Sequence, residues 1–425
     1  MRRKISLIII CFVLFIPTGC YDSKEINEST YIAMLGVDEG VKDKWQITLL
    51  LPFLGEGGDS GSSENEGRST PIYTEYTIEA PSFFQGISLT NTSIRGSIIF
   101  FHANVLVFSE DLAKSGKIGK FIAPLIRNRE IRRSEFILVS KGSAKDFLGA
   151  AIENLETSIS KEMEDLIRGS VYTGYFPKTN LNDLNNGIKS TYHQTLAIYG
   201  AINNGLISDA LEGDSTEDPE DSANYYAGEI PRKGGKKIDL AGSAVINGDK
   251  MVGKLTIYET QLVLITKGLL KRWTFAIPDP KEPDSVIPIE VRPAKKPQIR
   301  ISFKDKKPVI DLKLKLNADI LAIQSRIDYE DPSLSPILEK AAEVLIKREL
   351  DKTIKKCKEL KSDVFDFGNT AAMKFATIQE WEDYNWNERF EDAEINTTVS
   401  LKIKRFGTMI SDSPIISTEG KEKSK

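Results

Sequence analysis

A chain of 425 residues is too long for one ordinary hydrophobic core and should divide into two or three globular domains. Its composition, 40% hydrophobic and 28% charged, is typical of globular proteins, and a formal net charge of -4 excludes a strong general attraction to nucleic acid. The 3 cysteines are too few and too far apart for a disulfide framework or a cysteine-rich metal site, so stability must come from packing.

The N-terminus has the pattern of an export signal. Basic residues at positions 2–4 precede an apolar run over 5–16, which is shorter than the about 20 residues needed to span a bilayer. The run ends in Ile-Pro-Thr-Gly before Cys20, an arrangement that resembles a bacterial lipobox. We therefore predict a signal peptide over 1–19 and lipid on Cys20, with an uncleaved short anchor as the alternative. Two or three acyl chains would hold the rest of the chain on the outer surface of a membrane.

Residues 20–192 are predicted to form an N-terminal α+β domain, because strand-like and helix-like segments alternate along them. The predicted strands lie at 31–37, 45–53, 98–108 and 134–140. The predicted helices lie at 81–92, 111–128, 143–154 and 158–168. The first two strands flank a turn-like Asp-Glu-Gly and should form a hairpin. Residues 54–70 are rich in Gly, Ser, Glu and Asn without an apolar period, and are predicted to be a flexible loop.

Residues 193–285 are predicted to form a small β-rich middle domain. Its strand-like pieces lie at 194–202, 241–246, 254–258, 261–266 and 272–277. Between the first two, residues 208–237 are acidic and then basic, with turn-forming Asp-Pro and Gly-Gly pairs and no apolar period. We predict an exposed loop there, whose charges are solvated.

Residues 286–407 predict a C-terminal β-β-β-α-β domain. Apolar residues alternate without a break from Ile310 to Ile320, as a half-buried antiparallel strand requires. A long helix starts near Asp331 and carries one apolar stripe, with lysines near its end. Residues 408–425 are predicted to be a flexible tail. The predicted fold class is α+β, multidomain, with mixed and antiparallel sheets packed by helices.

Patterns for catalysis or metal binding are absent from the sequence. His102 and His193 lack the spacing of a zinc site, and we interpret both as structural. Glu380 with Glu382 and Asp383 could mimic a glycosidase pair, yet with 61 acidic residues such neighbours arise by chance. Cys357 lies on the apolar stripe of the long helix and is predicted to be buried. No nucleotide-binding motif occurs, so we predict a non-enzymatic protein without metal or cofactor.

The segment 381–386 contains Trp381, Tyr384 and Trp386 outside any regular period. Aromatic residues at such density either fill the edge of a core or anchor a protein interface. The core is the commoner outcome, and we keep the three residues as candidates for partner contact. The loops around Gly57 and Asp218 are further candidates.

Several segments together resemble the Ger(x)C family, the lipoprotein C subunits of GerA-type spore germinant receptors. Near the N-terminus the resemblance is carried by Gly19-Cys20-Tyr21-Asp22, Glu25-Ile26-Asn27 and Gly36-Val37-Asp38. In the middle it is carried by His102-Ala103-Asn104, Ser109 to Ala113, Arg127 to Arg133, Gly242 to Val245 and Lys250 to Leu255. Near the C-terminus it is carried by Asp363 to Gly368, where Asp366 replaces a glycine usual in the family, and by Trp381, Trp386 and Phe390.

This resemblance implies a non-catalytic receptor subunit on the outer face of the spore inner membrane. Its implied partners are an A subunit and a transporter-like B subunit, in an assembly that responds to nutrients such as amino acids or sugars. Our first hypothesis is that the chain supports receptor assembly and germination signalling through protein contacts, held at the membrane by lipid on Cys20. The alternatives are a lipoprotein that captures a germinant for the transporter-like subunit and, from the compartment and the abundant carboxylates alone, a cell-wall hydrolase.

Overall fold

The computed structural model describes residues 29–52, 73–94, 96–153, 158–204, 224–325 and 327–406, together with the backbone of 416–417 and 420–421. The predicted signal peptide, Cys20 and the predicted loop 54–70 lie outside these residues. So do most of the predicted tail 408–425 and the part of the predicted loop 208–237 that precedes Asn224.

The first ten strands of the described chain lie between Ser29 and Leu255. They are β1 (Ser29–Tyr31), β2 (Met34–Glu39), β3 (Trp45–Pro52), β4 (Tyr73–Ala80), β5 (Ser97–Ile99), β6 (Val105–Ser109), β7 (Phe136–Ser140), β8 (Thr195–Ile202), β9 (Ile238–Asn247) and β10 (Lys250–Leu255). β1 and β5 pair with each other in parallel. The other eight form one sheet in the order β10-β9-β8-β7-β6-β2-β3-β4, which we call the N-terminal sheet. Its four central strands are parallel and its outer strands antiparallel.

Helices cover both faces of the N-terminal sheet. They are α1 (Phe83–Thr90), α2 (Glu110–Lys114), α3 (Ile118–Arg127), α4 (Ala144–Ile152), α5 (Ile159–Thr173) and α6 (Leu181–Lys189). Phe83 and Phe121 pack in the core on one face, and Phe147 and Met163 in the core on the other. The central strands β6 and β7 are consequently buried at every residue, as parallel strands between two helical layers must be.

Asp38 ties the predicted hairpin to the helix layer. β2 and β3 pair antiparallel, as the sequence predicted. The Asp38 carboxylate accepts the backbone N–H groups of Ala144 and Lys145 at 2.8 and 3.0 Å. These N–H groups belong to the first turn of α4 and have no partner within the helix, so the carboxylate satisfies them and complements the helix dipole.

Two predicted elements in this half are each divided in the structure. The strand predicted over 98–108 is interrupted by a turn, because the N–H of Ala103 donates to the carbonyl of Phe100 at 2.9 Å. The helix predicted over 111–128 breaks at Gly116, whose φ of 71° lies in the left-handed region that glycine adopts freely.

Helix α7 (Ile257–Thr266) follows the last strand of the N-terminal sheet. The strand predicted over 261–266 is therefore wrong. Thr256 and Glu259 form a capping box, in which each side chain accepts the other residue's backbone N–H, and this starts a helix. All but two residues of α7 are buried, so its sequence has no polar face and mimics a buried strand.

Five strands form a second sheet, which we call the C-terminal sheet. They are β11 (Trp273–Pro278), β12 (Val286–Pro293), β13 (Gln298–Lys304), β14 (Lys307–Ile320) and β15 (Glu394–Arg405). β12 and β13 pair antiparallel with one side of β14, and β15 runs parallel along its other side. β14 alternates buried and exposed residues along its length, as predicted.

The C-terminal sheet is packed by α8 (Ser335–Glu359), followed by the short helices α9 (Phe367–Ala372), α10 (Ile378–Tyr384) and α11 (Trp386–Arg389). Leu338, Ala342, Leu350 and Cys357 of α8 lie in the same core as the sheet. The predicted α+β class with mixed and antiparallel sheets is confirmed. The backbone of 416–417 pairs with that of 420–421 as a two-residue ladder.

The strands expected in a separate middle unit over 193–285 are divided between the two sheets. β8, β9 and β10 extend the N-terminal sheet, and β11 joins the C-terminal sheet. The described part of the predicted exposed loop also packs against the protein: Ala227 is fully buried, and Arg232 pairs with the buried Asp239 at 2.8 Å. Local alternation identifies a strand but not the sheet it joins, which depends on long-range pairing.

Candidate functional site

The turn after α8 is built around Asp363. Its enclosed carboxylate accepts the backbone N–H groups of Phe365, Phe367 and Gly368 at 3.2, 3.2 and 2.7 Å. The indole N–H of Trp386 donates to it at 3.0 Å. Burial raises the pKa of Asp363 to about 6, and the hydrogen bonds from these donors oppose the rise. The carboxylate therefore acts as the organising acceptor of the turn.

The same turn joins the two sheets. The N–H of Gln194, just before β8, donates to the Asp363 carbonyl at 2.8 Å. The Trp381 indole donates to the Thr191 hydroxyl at 3.1 Å and stacks on Tyr192 with ring centroids 5.5 Å apart. We define the junction as residues 190–194, 362–368, Trp381 and Trp386. Its contacts set the position of the C-terminal sheet relative to β8.

Two positions in the junction have unusual backbone requirements. A Cβ added at Gly368 would lie 2.0 Å from the carbonyl oxygen of Tyr192 and 2.6 Å from Nε1 of Trp386, so no side chain fits there. Asp366, at the position where the resembled family has glycine, has a φ of 64° in the left-handed region. Its carboxylate pairs with Lys267 at 2.9 Å, which ties the turn to the residue after α7.

The structure buries two of the three predicted contact residues. Trp381 and Trp386 are 2% and 1% exposed, so their rings fill the core edge at the junction. Tyr384 is half-buried; its hydroxyl donates to the Lys306 carbonyl at 2.9 Å, and the Arg389 guanidinium lies 5.0 Å from its ring centre. The three rings form one cluster, because Trp381 lies 6.3 Å from Tyr384 and 5.8 Å from Trp386. A direct role of these residues in partner contact stays a prediction.

Two apolar side chains beside this cluster face solvent. Met373 and Ile378 are 75% and 70% exposed. Between them in sequence, the half-buried Phe375 contacts the rings of Trp381 and Tyr384 at 5.3 and 5.1 Å. We call Met373, Phe375 and Ile378 the apolar corner. An exposed apolar pair backed by aromatic anchors has the composition of a protein interface.

The sequence analysis missed Met373 and Ile378. A signal for Ile378 was present, because it lies three residues before Trp381 and so on the same side of α10. The pattern does not reveal that only Trp381 is covered by Tyr192, which comes from a distant part of the chain.

The residues considered for chemistry have structural surroundings. The ring of His102 packs edge-on against Tyr31 at 4.9 Å, and Nδ1 of His193 lies 3.3 Å from the Ser190 hydroxyl. Cys357 is buried as predicted, and burial raises the pKa of its thiol. Within the described ranges, no group of three or more His, Cys, Asp or Glu side chains could hold a metal ion.

The remaining sequence candidates contribute no further site. The Glu380 carboxylate accepts the backbone N–H of Ala376 at 3.0 Å, at the start of α10. Cys20 and the loop positions Gly57 and Asp218 lie outside the described residues. In the part of the chain that the structure describes, no helix is both long and apolar enough to cross a membrane.

An open cleft of about 520 Å³ lies beside the junction, and the sequence analysis did not foresee it. Phe176 and Leu270 form part of its apolar lining, and His193 and the ion pair of Lys267 with Asp366 form part of its polar lining. Its volume lies within the range of small-ligand sites. These residues come from four separate segments, so no local motif marks the cleft.

Two family models match the chain. "Spore germination protein N-terminal domain" matches residues 22–200, and "Spore germination B3/ GerAC like, C-terminal" matches residues 241–407. Together the two matches cover well over half of the chain. The first match ends within β8 and the second begins within β9, so the loop between these two strands lies between the matches.

Known proteins are similar over nearly the whole length. Spore germination protein B3 of Bacillus subtilis (strain 168) is 22% identical over 418 residues, covering 96% of this chain and 100% of the relative. Spore germination protein KC of the same strain is also 22% identical over 418 residues, covering 96% and 97%.

A solved structure shares the fold. The crystal structure of the GerBC protein matches 87% of this chain and 96% of its own chain, with a TM-score of 0.50 and 18% identity. The resemblance found in the sequence is confirmed by the two family models. The chain belongs to the GerAC-like family of spore germination proteins, the family of GerC-type germinant receptor subunits.

Proposed function

We propose that the chain is the lipid-anchored C subunit of a spore nutrient germinant receptor and supports receptor assembly and signalling through protein contacts. Its proposed partners are the A and B membrane subunits, and its place is the outer face of the spore inner membrane. Family membership supports the receptor class. The observation that carries the contact role is the apolar corner, where Met373 and Ile378 expose most of their surface beside a buried aromatic cluster.

Only a few packed side chains would separate a partner bound at the apolar corner from the N-terminal sheet. Phe375 contacts Trp381 at 5.3 Å, and Trp381 stacks on Tyr192 at 5.5 Å. Tyr192 lies three positions before β8. Close-packed rings transmit displacement rather than absorbing it, which supports a signalling role for this path.

The proposed lipid would keep the start of β1 near the membrane. Cys20 precedes Ser29, the first residue of β1, by nine positions. A chain of nine residues reaches at most about 30 Å when fully extended. The start of β1 would therefore lie within that distance of the membrane surface, where membrane subunits expose their extracytoplasmic segments.

The contact role is tested by charging the apolar corner. A double variant, Met373→Asp with Ile378→Asp, should reduce co-purification of the A and B subunits from solubilised spore membranes at least tenfold and slow nutrient germination. Its thermal midpoint should stay within about 1 °C, since both side chains are exposed. Val41→Asp is the control, because Val41 is 88% exposed in the turn between β2 and β3. Full co-purification in the double variant would refute the contact role.

The lipid anchor is tested separately with Cys20→Ala. We expect release of the protein from the membrane fraction together with loss of nutrient germination. Release with intact germination would show that the protein surfaces suffice without lipid. Retention on membranes would mean that the lipobox interpretation is wrong.

A second candidate function, capture of a germinant, is favoured by the cleft beside the junction. Its ion pair and apolar walls would suit a small polar molecule with an apolar part. Calorimetry of the purified mature chain with active nutrients would test this, using Lys267→Ala to perturb the cleft. Heat signals that are absent, or identical in the variant, would argue against capture at this site.

A further inference from the structure

β15 lies at an edge of the C-terminal sheet. Among the described residues, only β14 pairs with it. The N–H groups of Leu401 and Ile403 point away from β14, because they donate to the α8 carboxylates of Glu343 and Glu339, each at 3.0 Å. These two carboxylates cap the outer edge of the strand at its C-terminal end.

The same outer edge continues uncapped toward the start of β15. The register with β14 is unbroken from Glu394 to Ile403. Since alternate residues of a strand direct their N–H and C=O groups to the same side, Ile395, Thr397 and Val399 share the outward direction of Leu401. No acceptor in the described part of the chain receives the N–H groups of these three residues.

The helix sequence explains where the capping stops. α8 runs antiparallel to β15, and its residues four apart face the edge in turn. The next residue in this series is Lys347, whose ammonium group cannot accept a hydrogen bond from the N–H of Val399. One turn further, the Asp351 carboxylate is engaged by Lys347 and by the Thr397 hydroxyl rather than by a backbone N–H.

An open groove of about 810 Å³ begins at this uncapped stretch, where Ile395 and Thr397 line it, and continues toward Glu391 and Asp392. One wall is α8 from Lys347 to Lys358, and the other includes Ile395 and Thr397 of β15. The eleven residue steps from Lys347 to Lys358 rise about 17 Å along the helix, the length of about five residues of extended chain. The charged lining mixes lysines with Asp and Glu, so the groove has no strong preference for one sign of charge.

We propose that this uncapped edge binds an extended segment of about five residues from a partner protein as an added strand. A row of outward N–H and C=O groups at two-residue spacing is complementary to another strand, so backbone hydrogen bonds would provide the recognition. The occupant is an extracytoplasmic segment of a membrane subunit, and to that extent the inference rests on the proposed function.

Hydrogen exchange of the full mature chain in detergent tests whether the edge is open. The amides of Ile395, Thr397 and Val399 should exchange at least tenfold faster than those of Leu401 and Ile403. Equal, slow exchange of all five amides would mean that the edge is already covered in the free chain and would overturn the proposal.

Binding is tested with overlapping 12-residue peptides that cover the extracytoplasmic segments of the A and B subunits. One peptide should bind, measured by fluorescence anisotropy, and should slow the same three amides at least tenfold. Lys347→Glu extends the carboxylate row to Val399 and should weaken this binding at least tenfold. Lys352→Glu, the same charge change at an exposed lysine paired with Glu349, is the matched control and should bind normally.

Ile395→Pro provides a second variant, because it removes one outward N–H without removing a bond to β14. Unchanged peptide binding in both Lys347→Glu and Ile395→Pro would overturn the proposal. Protection that grows with protein concentration in the absence of peptide would identify a second copy as the occupant and overturn the one named. If no peptide binds while the apolar-corner variant still loses its partners, the added strand fails and the proposed function stands.

Discussion

The indole N–H of Trp386 donates to the Asp363 carboxylate at 3.0 Å, and both groups are enclosed by the core. A carboxylate removed from water is tolerated only when donors replace the lost hydration. Here three backbone N–H groups and one indole do so. The same turn holds Gly368 against Tyr192, so this hydrogen-bond network and the contact between the sheets depend on each other.

Asp363→Ala should lower the free energy of unfolding by about 3 kcal/mol or more, because it leaves several buried donors without an acceptor. Urea unfolding followed by tryptophan fluorescence measures the change. Asp363→Asn retains one acceptor oxygen and should cost less. Asp383→Ala, at an exposed position of α10, is the control and should change stability by less than about 0.5 kcal/mol. Equal stability of the Asp363→Ala variant and the parent chain would contradict this account of the turn.

Gly368→Ala should be among the most damaging single methyl additions. The new Cβ would approach the backbone carbonyl of Tyr192, in the segment before β8, to 2.0 Å, which neither backbone can avoid without opening the junction. Gly169→Ala is the matched control, since a Cβ in that turn of α5 meets nothing within 4 Å. We expect that control to gain about 0.5 to 1 kcal/mol from helix propensity. Thermal melts of both variants check the opposite signs, and a neutral Gly368→Ala would refute the close approach.

Stability should fall as pH rises above 6 because of Glu135. Burial raises the pKa of Glu135 to about 8, against 4.5 in an exposed carboxyl, and its Oε1 atom has no hydrogen-bond partner. Between those values the folded state holds a proton that the unfolded state has lost, so the free energy of unfolding decreases with increasing pH. The slope is at most about 1.4 kcal/mol per pH unit. Asp363 acts in the same direction only below about pH 6.

Glu135→Gln removes this titration. Thermal melts from pH 6 to 8 should therefore show a falling midpoint for the parent chain and a flatter dependence for the variant. Glu382→Gln, at an exposed position, serves as the control and should keep the parental slope. A parental slope in Glu135→Gln would show that another group is responsible.

Cys357 should be unreactive until the chain unfolds. Its side chain lies in the core of the C-terminal sheet, and burial raises the pKa of the thiol, so the reactive thiolate is scarce and inaccessible. In a chain carrying Cys11→Ala and Cys20→Ala, Ellman's reagent should modify Cys357 at least a hundredfold more slowly in the native state than in urea. Met373→Cys adds an exposed thiol and should react at once, which controls for reagent access. Rapid labelling of Cys357 in the native chain would contradict its burial.

Much of the local structure could be predicted from the sequence, because the apolar residues of a half-buried strand or helix recur with a characteristic period. The alternation in β14 predicted its buried face, and the apolar stretches at β6 and β7 predicted strands there. The capping box at Thr256 was also present in the sequence, but the apolar residues after it imitated a strand because α7 is buried between the two sheets.

Only the tertiary structure decided which buried faces meet. The sequence alone indicated the α+β class and the family resemblance, since these depend on composition, local period and motif, and on the same grounds it predicts an export signal. It did not indicate that β8 to β10 extend the N-terminal sheet, that Trp381 stacks on Tyr192, or that the carboxylates of α8 cap only part of β15. Each of these relationships joins residues far apart in the chain, and local periodicity carries no information about the distant partner that a face or an edge will find.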